Sequence, residues 1–368
     1  MPDIEIGSGK SSRRGYSLGD VAIVPSRRTR DPEDVDLSFV LDGFSFALPL
    51  VAAASDAIVS PRTAVEIGRL GGLGVLNLEG LWTRYEDPEA VFDEIASLPA
   101  ATATRRLQEL YAQPIREDLI CERIRQIAAG GVVTCASLSP QRTAQFAKAV
   151  VDAELDLLVI QGTVVSAEHV SRRSEPLNLK RFIRDYDIPV IVGGCASYLA
   201  ALHLMRTGAV GVLVGVGTGL ASTTWDVLGL GAPHATAIAD AAGARSRHLE
   251  ETGVYVHVIA DGGMSTGGDI AKAIACGADA VMIGAPLAAA AEAPGRRRYW
   301  EMAAVHPSLP RGSLVDAPLR GTLAEVLCGP AHDADGAVNL FGALRAAMAM
   351  CGYASVKEMH KADVTVAG

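Results

Sequence analysis

The chain has 368 residues, 49% of them apolar, 5% aromatic and 20% charged, with 38 glycines. That length suits one large domain or two small ones. A core built from Ala, Val, Ile and Leu suits buried parallel strands better than an aromatic-rich sandwich. A net charge of −9 speaks against a nucleic-acid partner, which needs clustered Lys and Arg to neutralise phosphates.

Residues 1–45 read as an N-terminal extension. Met1–Glu5 carries no basic or apolar leader pattern, and no apolar run is long enough to span a bilayer. The basic clusters at 10–14 and 27–30 read as solvated or interface surface. Eight short apolar runs follow, at 48–54, 73–78, 132–138, 157–162, 190–195, 211–217, 256–263 and 280–286. They lack two-residue alternation, as strands covered on both faces do. Amphipathic helices are predicted between them: 61–71 behind Pro61, 139–153 behind Ser139 and Pro140, 197–207 from Ser197, and 266–276 from Thr266; 338–351 supplies a late helix. Eight strands alternating with helices predict a closed (β/α)8 barrel, a single domain whose surplus lies in 1–45, 79–130 and 287–337. A doubly wound sheet would place a G-x-G-x-x-G turn after the first strand, where this chain has Ala53-Ala54-Ser55-Asp56. Cys121, Cys135, Cys195, Cys276, Cys328 and Cys351 form no C-x-x-C pair. No zinc or dithiol motif is therefore expected, and reduced thiols in a cytoplasmic protein are.

A barrel of this kind places its site at the C-terminal strand ends. Three glycine-rich ends stand out. Gly215–Thr224 reads either as a ligand-approaching loop with hydroxyls at Ser222, Thr223 and Thr224, or as a tight strand–helix turn. Asp261-Gly262-Gly263 offers a carboxylate for vicinal hydroxyls, or an Asx-turn. Gly284-Ala285 closes the last strand, where barrels commonly hold a phosphate. Asp56 reads as a site residue or as the cap of helix 61–71. Cys195 reads as inert packing rather than a nucleophile. His257 reads as structural, and His234 has no evident partner.

These strand ends resemble the IMP dehydrogenase and GMP reductase family. The matching segments are 215–224, 227–228, 233–237, 258–263, 272–278 and 281–284, with Tyr16–Val21, 53–56 and 70–75 fitting the opening. The phrases Gly74–Pro88 and Gln161–Ser166 look like a shorter bacterial branch of IMP-dehydrogenase-related paralogues without CBS domains; 79–130 is too short to hold a CBS pair. The resemblance implies a purine nucleotide as substrate, NAD as hydride acceptor, IMP-to-XMP oxidation and a homotetramer. It implies ribose binding at Asp261, phosphate binding at Gly263 and Gly284, and substrate-binding positions at Gly262, Ala285 and Cys195. Gln161 and Gly215 fall on the cofactor side, and Gly217, Gly219 and Ser222 match the carbonyls that hold K+. Ser222 stands at the nucleophilic cysteine, with Thr224 beside it. Leu220 and Ala285 replace phosphate-binding serines, Leu213 an arginine, Ser55 a methionine and Gln161 an aspartate. Pro310-Arg311-Gly312 matches a Tyr-Arg-Gly motif with the tyrosine lost. The resemblance therefore implies altered or lost activity. A non-catalytic nucleotide-binding regulatory paralogue is one alternative. An FMN-dependent barrel is another, since it would use the same strand-seven and strand-eight ends.

Overall fold

The structure, a computed structural model, describes residues 4–172 and 175–366; Met1–Asp3 of the leader reading lie outside them. Eight parallel strands close into a barrel. They are β1 (Leu50–Ala52), β2 (Leu73–Asn77), β3 (Cys135–Leu138), β4 (Leu157–Gln161), β5 (Val190–Cys195), β6 (Gly211–Val214), β7 (His257–Asp261) and β8 (Ala280–Ile283). Each pairs with its successor, and Val281 of β8 opposite Leu50 of β1 closes the ring. The fold is thus the expected (β/α)8 barrel. Several strands stop short of their apolar runs. The residues beyond β6 and β7 are glycines in left-handed or mirrored backbone, such as Gly217 (φ 68°) and Gly262 (φ 73°), which cannot continue a ladder.

Alternate strand residues build two cores. Val51, Val75, Cys135, Val159, Ile191, Leu213, Ile259 and Met282 fill the barrel with Phe39, Leu41 and Phe46, the last three from a hairpin of Phe39–Leu41 and Phe44–Phe46. His257 stands edge-on to Phe39 at 5.2 Å between ring centres, a structural role as expected. The opposite strand faces, including Val192, Val214, Val258 and Ile283, pack with the surrounding helices.

The helices begin with α1 (Pro61–Arg69), α2 (Glu89–Ser97), α3 (Ala100–Leu110), α4 (Glu117–Ala128), α5 (Pro140–Asp152), α6 (Leu179–Asp185) and α7 (Tyr198–Met205). They continue with α8 (Thr224–Leu228), α9 (His234–Thr252), α10 (Gly267–Ala275), α11 (Ala285–Ala288), α12 (Leu323–Cys328) and α13 (Leu340–Met350). Ser60 caps α1, Ser197 caps α7 and Thr266 caps α10, each accepting a first-turn N–H through its hydroxyl. The long β2–β3 excursion forms α2 to α4. Among the described residues no helix is long and apolar enough to cross a membrane.

Candidate functional site

The C-terminal strand ends open into a cavity of about 1030 Å³, the size of a small-molecule site. One end is built by Gly215, Gly217, Thr218 and Gly219 after β6, Asp261 and Gly262 after β7, and Gly284 after β8. Tyr299 and Glu301 lie against them, and Arg84, Arg142 and Arg311 also line the cavity.

The loop after β6 is held from two sides. Thr218 Oγ1 donates to the carbonyl of Asp261 at 2.6 Å, and Gly215 packs on that same carbonyl with no room for a Cβ. On its outer edge the loop is clamped by 311–313. Thr223 N–H donates to Arg311 O at 3.1 Å, and Ser313 N–H to Ala221 O at 2.9 Å. Ser222 N–H donates to Gly219 O at 3.1 Å, closing a tight turn. Ser222 Oγ donates to Thr224 Oγ1 at 3.1 Å and accepts from Thr224 N–H at 3.3 Å. Ser222, Thr224, Gly217 and Gly219 therefore do meet in the cavity, but the serine's side-chain neighbour is a hydroxyl and not a base.

Asp261 is half-exposed to the cavity yet deep in the protein. Burial pushes its carboxyl up to about 7, and a hydrogen bond from Gln161 opposes the shift. That bond runs from Gln161 Nε2 to Asp261 Oδ2 at 3.2 Å, so Gln161, placed on the cofactor side by resemblance, orients the aspartate. Burial and the charge of Asp261 push Glu301 up to about 7 as well, against hydrogen bonds from Tyr299 and the Ala221 N–H. The Tyr299 hydroxyl stands 3.4 Å from Glu301 Oε1 and packs on Gly284. Burial is also the main cause that raises Tyr299 well above the usual phenol range.

Three expected substrate residues do not reach the cavity. Cys195 is 1% exposed, its Sγ donating to Leu213 O at 3.4 Å, and burial pushes the thiol up to about 12. The β5–β6 register shifts between Gly193 and Cys195, so Cys195 joins the helix-side core instead of following Ile191 inward. Gly263 lies behind Thr218 and His234, and Ala285 opens α11. Asp56 is neither cap nor cavity wall. Its carboxyl is 1% exposed and accepts from Tyr111 OH at 2.5 Å and Leu81 N–H at 3.1 Å; burial pushes it up to about 6. Tyr111 in turn accepts from Trp300 Nε1 at 2.8 Å, tying the β2–β3 excursion to the segment after β8. His234 does have a partner, Val214 O at 2.9 Å from Nε2. Tyr111 and Tyr299 both line the cavity, the latter against the strand-eight end at Gly284. Arg311 does line the cavity, donating to Thr163 Oγ1 at 3.1 Å. Tyr299 and Glu301 were invisible to pattern reading, since no repeat or spacing marks them in 287–337. Among the described residues no cluster of three or more His, Cys, Asp or Glu is set to hold a metal.

The IMP dehydrogenase / GMP reductase domain model matches residues 15–367. The chain belongs to this family. An uncharacterized oxidoreductase of Mycobacterium tuberculosis H37Rv is 52% identical, covering 99% of this chain and all of the relative. The inosine-5'-monophosphate dehydrogenase of Methanocaldococcus jannaschii is 27% identical, covering 95% and 92%. A crystal structure of an IMP dehydrogenase/GMP reductase-like protein from Corynebacterium glutamicum superposes with a TM-score of 0.94 at 46% identity, covering 99% and 98%. The IMP dehydrogenase likeness thus spans the barrel and its excursions alike, including the 299–313 segment that completes the cavity.

Proposed function

We propose that this family member binds a purine ligand at the barrel mouth without the cysteine-dependent chemistry of IMP oxidation. The observation that carries the reading is Ser222. A serine attacks only when a neighbouring base takes its proton, and here its side-chain partner is the Thr224 hydroxyl. Cys195 offers no substitute, because a buried thiol pushed up to about 12 supplies no thiolate at neutral pH. What remains is a binding apparatus. Asp261, oriented by Gln161, faces the cavity as an acceptor for ribose hydroxyls. The segment 299–311 adds Tyr299, Glu301 and Arg311 to the cavity wall.

NAD, when bound, supplies a hydride acceptor. Arg84, Arg142 and Arg311 are the residues that would hold its phosphates, and their donor-rich side chains fit that group. A K+ ion at Gly217, Gly219 and Ser222 would share the Gly219 carbonyl with the Ser222 N–H. An FMN phosphate would need the strand-eight end that Tyr299 covers, which disfavours the flavin reading. Assembly as a cytoplasmic homotetramer follows from the family resemblance and is read by light scattering.

The test is calorimetric titration with inosine, guanosine, IMP, GMP and XMP, alongside an absorbance assay for NADH formation. Heat is expected with at least one purine ligand and is lost in Asp261→Ala, with no NADH formed from IMP. Silence with all five would overturn the binding half of the reading. NADH formation abolished by Ser222→Ala would overturn the other half.

A further inference from the structure

The cavity is lined by both acidic and basic side chains, Asp261 and Glu301 among the first and Arg84, Arg142 and Arg311 among the second. The charge of Asp261 acts on Glu301, and no lysine or arginine is among the groups acting on either carboxyl. Glu301 takes the Ala221 N–H and packs on Gly219 with no room for a Cβ; the Tyr299 hydroxyl does the same at Gly284. Glycine turns with upturned N–H groups suit an anion, but here one of those N–H groups is already answered by a carboxylate of the chain. Of the lining arginines, Arg84 donates to the carbonyls of Glu79 and Gln113, Arg142 to Gln145, and Arg311 to Leu309 O and Thr163. These hydrogen-bond partners are neutral, although the charges of Asp56 and Glu79 act on Arg84, and Arg311 Nε has no hydrogen-bond partner among the described residues.

We propose that Glu301 sets the specificity of this site: it takes the place of a ligand phosphate at the ends of β6, β7 and β8, so the pocket selects a purine nucleoside over its 5'-monophosphate. The inference rests on the purine reading above. A nucleoside's hydroxyls donate to Asp261 and Glu301, which lack cationic partners. A phosphate at the same place brings negative charge against two carboxylates in a poorly solvated site, where repulsion at contact distance is worth about tenfold or more in affinity. The groups facing the pair are Gln161 from β4, Tyr299 beside Glu301 and backbone N–H from the β6 loop. None of them is a cation. The discrimination therefore sharpens as the pair ionises, from pH 6 to pH 8.

The experiment is calorimetry at pH 8 with inosine and IMP, and with guanosine and GMP, on the full chain and on Glu301→Ala and Glu301→Gln. The unmodified protein is expected to bind the nucleoside at least about tenfold more tightly than the monophosphate. Glu301→Ala is expected to bring the two affinities together by raising that of the monophosphate, and Glu301→Gln to do so in part, since it removes the charge but keeps the bulk. Gly219→Ala, whose new methyl group displaces the Glu301 carboxylate, gives an independent variant should the alanine substitution impair folding. Equal or tighter binding of the monophosphate by the unmodified protein, or a ratio unmoved by these variants, overturns the proposal and leaves the purine reading standing. No binding of any of the four ligands to any of these proteins removes both.

Discussion

Ser222 and Cys195 are the two side chains that could have carried covalent chemistry, and the structure gives each an inert setting. Ser222 Oγ exchanges hydrogen bonds only with Thr224. Ser222→Ala is expected to leave purine affinity within about twofold and stability within about 0.5 kcal/mol, measured by calorimetry and denaturant unfolding. A loss of affinity beyond tenfold would mean the hydroxyl touches the ligand. Cys195→Ala removes a buried sulfur and is expected to cost about 1 kcal/mol in stability while leaving affinity unchanged. An affinity change at constant stability would put the thiol back in the site. The sequence placed Cys195 at a strand end, and a strand's two-residue period would carry it inward with Ile191. A register slip of one residue reverses that parity, and nothing in Val190–Cys195 announces the slip beyond two adjacent glycines. Glu301 was illegible for a different reason. A lone carboxylate in an irregular segment has no periodicity to reveal which surface it meets.

The loop after β6 depends on a partner segment distant in sequence. The segment 311–313 holds it through Thr223 N–H, Ser313 N–H and the bridge between Ser222 and Gly312. A Cβ on Gly312 would stand 3.1 Å from Ala304 Cβ and 3.2 Å from Ala221 O, so a branched side chain there must push the segment away. Gly312→Val is expected to speed hydrogen exchange at the Thr223 and Ser313 amides by about tenfold or more and to weaken purine binding, with the barrel strands unaffected. Unchanged exchange would show that the loop holds its shape without the clamp. The barrel strands themselves were legible because a run buried on both faces is apolar whatever its neighbours do. Their ends were not, because the apolar runs continue into glycine turns. Helix starts at Pro61, Ser197 and Thr266 followed from the local residue chemistry, whereas the clamp pairs residues some ninety positions apart and leaves no local trace.

At the scale of the whole molecule, buried ionisable groups pull stability in opposite directions with pH. Burial raises Asp56 to about 6 and Asp261 and Glu301 to about 7. The folded protein therefore holds protons on them that the unfolded chain releases. Their contribution to stability is fully present below the ordinary carboxyl range and is lost as pH rises through about 6 to 7. His234, His248, His257 and His360 are all lowered by burial. Their contribution is present above the ordinary imidazole value and is lost as pH falls below it. The exposed carboxylates held low by arginines, such as Glu94 and Asp118, act only in stronger acid and are screened by solvent. Between the ordinary carboxyl and imidazole values the two sets therefore act with opposite slopes and partly offset one another. Glu301→Gln isolates one member of the acid set: its amide cannot ionise beside Asp261. The variant is expected to melt at a higher temperature than the unmodified protein at pH 8 and to lose that advantage by pH 5, followed by thermal unfolding across the range. A variant less stable at pH 8 would mean that the Glu301 carboxylate is held by favourable contacts that outweigh its burial and its repulsion from Asp261.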